Sequence, residues 1–173
     1  LSDDYNFNFF IPKRMQRVTL YYCNNLQLKE LEVMLDGMYD LHFDAQSLFA
    51  GLTEDIDFFG DQKDELVLLI DDATGQLAGA HEAIKHMMHV ASNEYQKVHS
   101  ELLYDIAKSE RYPFKPHMGI GRLRIQSIKQ RLDGKEDVDV IIERIKEKIL
   151  LAVQQVVKEL CLHNREIIFT NIM

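Results

Sequence analysis

An α+β or α/β fold with one mixed or antiparallel sheet system is expected, because two hydrophobic periods alternate along the chain. Short runs of period two, or of continuous β-branched and aromatic character, alternate with longer runs whose apolar residues recur every three or four positions. No repeat and no low-complexity tract interrupts them. With 173 residues, 46% hydrophobic and 28% charged, the chain is sized for one domain, or for two small lobes sharing a core. It can hide roughly 70% of its unfolded surface without a disulfide or a metal.

Residues 5–11 alternate aromatic and polar types up to Pro12 and predict a short strand. Residues 16–23, rich in β-branched and aromatic types and stopped by Asn24 and Asn25, predict a second. Leu28, Leu31, Leu35 and Met38 recur at helical spacing and predict an amphipathic helix. Leu41, Phe43 and Ala45 alternate with His42, Asp44 and Gln46, so 41–52 is expected as a strand. An acidic, water-facing loop follows. Glu65 to Ile70 is a continuous apolar run bounded by charges, the pattern of a central strand buried on both faces. Residues 76–108 hold no proline, and no glycine after Gly79, so they predict the longest helical region, with any break at Ser92 and Asn93. Pro113 and Pro116 frame a loop, and 117–125 is expected as a strand. Residues 137–153 carry Val140, Ile141, Ile145, Ile149 and Leu150 on one helical face. The tail predicts two closing strands, over 156–162 and 166–170.

Charge and composition exclude several classes. Cys23 and Cys161 form no Cys-x-x-Cys pair, which fits a reducing compartment and argues against a disulfide scaffold or a zinc ribbon. The longest strongly apolar stretches, Leu66 to Ile70 and Ile149 to Val153, fall far short of the roughly 20 residues a spanning helix needs. Nothing near Leu1 has the layout of a signal peptide, so a cytoplasmic protein with no membrane partner is expected. The net charge of −8 argues against nonspecific coating of nucleic acid, and duplex DNA is not an expected partner. The distribution is informative too. Eight carboxylates and a single base, Lys63, lie between Glu54 and Asp72, whereas seven bases oppose only Glu110 between Lys108 and Arg131. Lys13, Arg14 and Arg17 form a second basic group. Were the two basic segments to meet, they would make a local anion site on an acidic protein; otherwise each is a solvated loop.

The segment from Tyr112 to Leu123, Tyr-Pro-Phe-Lys-Pro-His-Met-Gly-Ile-Gly-Arg-Leu, carries the most specific signal. It resembles the second signature of the 2H phosphoesterase superfamily, the LigT-like or 2′-5′ RNA ligase group, in which Pro-Phe-x-Pro-His-x-Thr-Leu-x-Arg opens a strand. Pro113, Phe114, Pro116, His117, Ile120 and Arg122 fall where that pattern puts them. The family carries an earlier His-x-Thr/Ser-x copy, best matched here by Arg17-Val18-Thr19-Leu20. The resemblance spans about residues 16 to 162, with 157–162 matching a closing strand. It implies a two-lobed α+β fold in a single domain, antiparallel sheets with helices packed outside, and a central groove. The implied activity is a phosphodiesterase acting on RNA ends or small oligonucleotides with a 2′,3′-cyclic phosphate or a 2′-5′ linkage, without metal or cofactor.

Residues i and i+2 of a strand share a face, so each family motif aims one imidazole and one hydroxyl into a common groove. One histidine takes a proton from the attacking oxygen, the other protonates the leaving oxygen, and the hydroxyls hold the nonbridging oxygens. His117 and Thr19 match and are the candidate catalytic residues. Arg17 stands for a histidine and Gly119 for a hydroxyl residue. A guanidinium does not exchange its proton at neutral pH, yet its planar fork suits phosphate. Arg17 and Gly119 are therefore substrate-binding candidates, and phosphate recognition is expected to outlast turnover. Tyr21, which shares a strand face with Arg17 and Thr19, is a candidate to stack a base. Arg122 is a binding candidate by its match, although strict alternation puts it on the face opposite His117 unless a bulge intervenes.

Other signals are weaker. His42 with Asp44 could supply a proton or be merely solvated. His81, Glu82, His86 and His89 cluster on the long helix, but Lys85 stands where the second histidine of His-Glu-x-x-His belongs. Asp71 to Gly75 lacks the offsets of a calcium loop, and Thr74 reads as a helix N-cap. The Met87–Met88 pair is expected in the core. Gly119-x-Gly121 lacks the remainder of a dinucleotide loop. Two further readings stay open: a non-catalytic binder of nucleotides or RNA ends, and a domain without a site that uses helix 76–108 as a partner surface.

Overall fold

The computed structural model describes residues 18–23, 26, 27, 29–32, 48–98, 105–132, 137–161 and 165–169. The strand expected over 5–11, the start of the one over 16–23, most of the helix over 28–38 and residues 41–47 lie outside the described residues. So do Lys13, Arg14, Arg17, His42 and Asp44. The class is α+β. In chain order the elements are β1 (Leu48–Phe59), β2 (Glu65–Asp71), α1 (Gln76–Val98), α2 (Ile106–Ser109), β3 (His117–Arg122), α3 (Ile125–Arg131), α4 (Val138–Glu159) and β4 (Glu166–Phe169). The described strands make one four-stranded sheet, ordered β3-β2-β1-β4.

The described residues divide into two compact units. The first takes in Val18, residues 51–71 and the described part of 117–166; the second takes in 19–50 and 72–116, so far as described, with 167–169.

In the first unit, β2 is the expected central strand. Leu66, Val67, Leu68 and Ile70 are all buried, and the strand pairs antiparallel with β1 on one side and β3 on the other. The acidic stretch before it is not a loop. Residues 54–59 continue β1, because Ile56 and Phe58 alternate with Asp55 and Asp57, so that Phe58 is buried while both carboxylates face water. Charge density masks that period. Between Leu52 and Ile56 the register slips, and there the Thr53 hydroxyl donates to the Leu69 carbonyl at 2.7 Å and accepts from the Asp55 N–H at 3.1 Å. The hairpin to β2 turns at Gly60, whose φ of +90° suits glycine.

Helices α3 and α4 close this core, with Ile125, Ile128, Ile142, Ile145 and Ile149 packed against Phe58, Leu66 and Leu123. The expected strand over 117–125 stops at Arg122, and the α3 turn begins at Ile125. Residues 156–159 of the strand expected over 156–162 are instead the end of α4, and 160–161 a turn. Val157 lies eight residues beyond Ile149 and is buried, so the helical stripe continues where local β-propensity argued for extension. The helix ends where Cys161 adopts a left-handed φ of 50°. The β4 strand confirms the second tail element.

The second unit is organised on α1. Its first turn is capped not by Thr74 but by Asp72, whose carboxylate accepts from the Leu77 and Ala78 N–H groups at 3.1 and 2.7 Å. The helix runs unbroken through Ser92, because the Ser92 hydroxyl is satisfied inside it by the Met88 carbonyl at 2.6 Å. Ile84, Met87, Met88 and Ala91 form its buried stripe, covered by Leu20, Tyr21, Leu26 and Ile106. No described helix is long and apolar enough to cross a membrane.

Two substitutions test these assignments by urea unfolding. Asp72→Ala removes a cap that satisfies two N–H groups and is expected to cost about 1 kcal/mol. Ile128→Ala, at a position 2% exposed, is expected to cost about 2–5 kcal/mol.

Candidate functional site

His117 is the first residue of β3, reached from a stretch at 111–116 that includes Pro113 and Pro116 and has no helix or strand, as expected of a proline-framed loop. Its half-buried ring meets the ring of Phe59 edge-on, with centroids 4.6 Å apart. Along β3, His117 lies opposite Leu69, Gly119 opposite Val67, Gly121 opposite Leu66 and Arg122 opposite Glu65. Two steps on β3 therefore match one step on β2 after Gly119, which is a bulge at Ile120. The bulge corrects the expectation from strict alternation. Leu69 and Glu65 are four residues apart on β2 and share a face, so their partners His117 and Arg122 share one as well.

Arg122 is nevertheless engaged. Its Nη2 lies 3.4 Å from Glu65 Oε2 and its Nε 3.7 Å from Asp64 Oδ2, at the end of the β1–β2 hairpin. At 62% exposure the pairs contribute little stability, but they occupy the fork that would bind phosphate. Gly119 is buried within β3.

The earlier motif is described from Val18 onward, and Arg17 lies outside the described residues. Val18 forms an isolated antiparallel bridge with Met118, the residue after His117. Thr19, next in the chain, is exposed and belongs to no strand, so 19–23 corrects the expected second strand.

Tyr21 is half-buried in the second unit. Its hydroxyl donates to Glu110 Oε1 at 3.0 Å, so the expected base-stacking residue is tied down at its polar end. Glu110, absent from the expected site residues, is a hub. His89 Nε2 lies 2.7 Å from the same oxygen, and Lys85 Nζ 3.3 Å from Oε2. Lys85 and His89 are one turn apart on α1, and Glu110 is the one acid in a basic stretch. Those were the available signals, but their convergence is tertiary. Partial burial pushes the Glu110 carboxyl up, while hydrogen bonds from Tyr21, His89 and Lys85 together outweigh it and hold the group below its ordinary 4.5.

His81 Nδ1 lies 2.6 Å from the Leu20 carbonyl oxygen, and its ring stacks on Phe114 with centroids 4.3 Å apart and planes 9° apart. The α1 histidines thus face different partners: His81 the Leu20 carbonyl, His89 the Glu110 carboxylate. Among the described residues no group of three or more His, Cys, Asp or Glu side chains could hold a metal ion.

No family model matches the chain, and neither the curated proteins nor the solved structures compared with it contain a match.

The Glu110 hub has a pH signature. Because its folded pKa is lowered, its contribution to stability is fully present above about pH 4.5 and is lost as pH falls through the folded value. Glu110→Gln, which keeps the shape and loses the charge, is expected to cost about 1–2 kcal/mol at pH 7. The gap from wild type in urea unfolding should close as pH falls below 4.5.

Proposed function

We propose that the chain is a 2H-phosphoesterase-like domain that recognises a phosphodiester at an RNA end or in a small oligonucleotide, as a 2′,3′-cyclic phosphate or a 2′-5′ linkage. The observation that carries this reading is the bridge between Val18 and Met118. In the sequence Val18 stands between Arg17 and Thr19, and Met118 between His117 and Gly119, so each bridged residue is the middle one of its motif. The loop–strand junction at His117 supports it further, since it matches the way the family's signature opens a strand. Two features depart from the family pattern: 157–159 are helical, and Arg122 is paired with Asp64 and Glu65.

On this reading His117 is the only motif imidazole. It can transfer one proton, to the leaving oxygen or from the attacking one, but not both at once. Arg17 supplies a fixed positive charge against the phosphate and the Thr19 hydroxyl a donor to a nonbridging oxygen. Such a site stabilises charge without completing acid–base chemistry. The substitutions at 17 and 119 favour a second reading, in which the domain binds the phosphodiester and releases it unchanged.

The test is incubation with 2′,3′-cyclic nucleotides, 2′-5′ oligoadenylate and a cyclic-phosphate-ended RNA, following both binding and product. If the domain turns over, His117→Ala is expected to lower the rate about 10²–10⁴-fold. If it only binds, Arg17→His combined with Gly119→Thr, checked for an unchanged circular dichroism spectrum, is expected to convert binding into hydrolysis. Absence of binding to every phosphate ligand rejects both readings.

A further inference from the structure

Resting on that reading of the site, we infer that His81 is a positioning residue: one imidazole holds against α1 both the segment that follows Thr19 and the segment that leads to His117. A carbonyl oxygen only accepts, so the 2.6 Å approach of Nδ1 to the Leu20 oxygen requires the proton on Nδ1. That bond ties down the peptide one residue beyond Thr19. The face of the same ring stacks on Phe114, three residues before His117, in a nearly parallel arrangement, and the Tyr21 ring lies 5.9 Å away. The remaining nitrogen, Nε2, lies 3.8 Å from the exposed Glu82 carboxylate, and the side chain is only 15% exposed.

The residue type follows from this double task. Holding both segments takes a planar face for Phe114 and an N–H directed at Leu20 from the same side chain. Asparagine can offer the N–H at the reach of Nδ1 but no ring, and phenylalanine the ring but no donor. The nearby Glu110 hub holds Tyr21, and His81 engages both Leu20 and Phe114. Histidine 81 would thus act on the phosphodiester through its neighbours, by ordering within the second unit the backbone beside Thr19 and the backbone that leads to His117 before the ligand arrives.

The test compares wild type with His81→Ala, His81→Asn and His81→Phe, reading amide hydrogen exchange in the free protein and binding of 2′,3′-cyclic AMP by calorimetry. His81→Ala is expected to speed exchange at Leu20–Tyr21 and at Phe114–Lys115 and to weaken binding about ten- to a hundredfold. His81→Asn should restore slow exchange at Leu20–Tyr21 only, His81→Phe at Phe114–Lys115 only, each recovering part of the affinity. Should His81→Ala fail to fold, those two variants carry the test through the same segment-by-segment split. Nitrogen NMR of the wild-type imidazole should show the proton on Nδ1. Unchanged exchange at both segments, or wild-type affinity with both loosened, overturns the positioning role while the phosphodiester reading stands. Wild-type protein that binds neither 2′,3′-cyclic AMP nor 2′-5′ oligoadenylate nor a cyclic-phosphate-ended RNA overturns the reading itself, and His81's part in it, before any variant is needed.

Discussion

The burial of β2 on both faces is the constraint from which the first unit follows. A strand with Leu66, Val67, Leu68 and Ile70 all buried cannot lie at an edge or turn a side to water. It needs a paired strand on each side, which β1 and β3 supply, and helices against the face that carries Leu66. Placing β3 beside β2 puts His117 opposite Leu69. The bulge at Ile120 then decides how the rest of the motif is presented. The chemistry proposed for the strand is thus downstream of an apolar run that carries no chemistry.

Two charged groups among the described residues hold polypeptide. Arg122 is a cation at the end of the motif strand, yet two carboxylates of the preceding hairpin engage it. Glu110 is a carboxylate among bases, and it gathers a tyrosine, a histidine and a lysine into one network. Both arrangements draw groups that a ligand could have used into the frame that would hold it.

Several elements were legible from the residue order because a local pattern carried them alone. The apolar run at 65–70, the long helix from 76, the Met87–Met88 core pair and the helix over 137–153 all have local patterns that no neighbour needed to complete. Elsewhere two local signals compete. Carboxylates mask the alternation of Ile56 and Phe58, so the sequence pattern there is that of a loop although the residues form a strand. The β-branched pair Val156–Val157 masks the continuation of the α4 stripe, so the pattern there is that of a strand although the residues are helical. Thr74 was the conventional cap type, but the geometry of the turn at Gly75 brought the Asp72 carboxylate to the first N–H groups instead.

The candidate site divides in the same way. Proline framing, the position of His117 and the residue types at 17 and 119 are properties of the residues in order. The side shared by His117 and Arg122 depends on one extra residue at a bulge, and the hub at Glu110 and the double hold of His81 depend on residues far apart in the chain. Local periodicity carries no information about such meetings, because a side chain's partner across the fold is chosen by packing, which only the folded chain establishes.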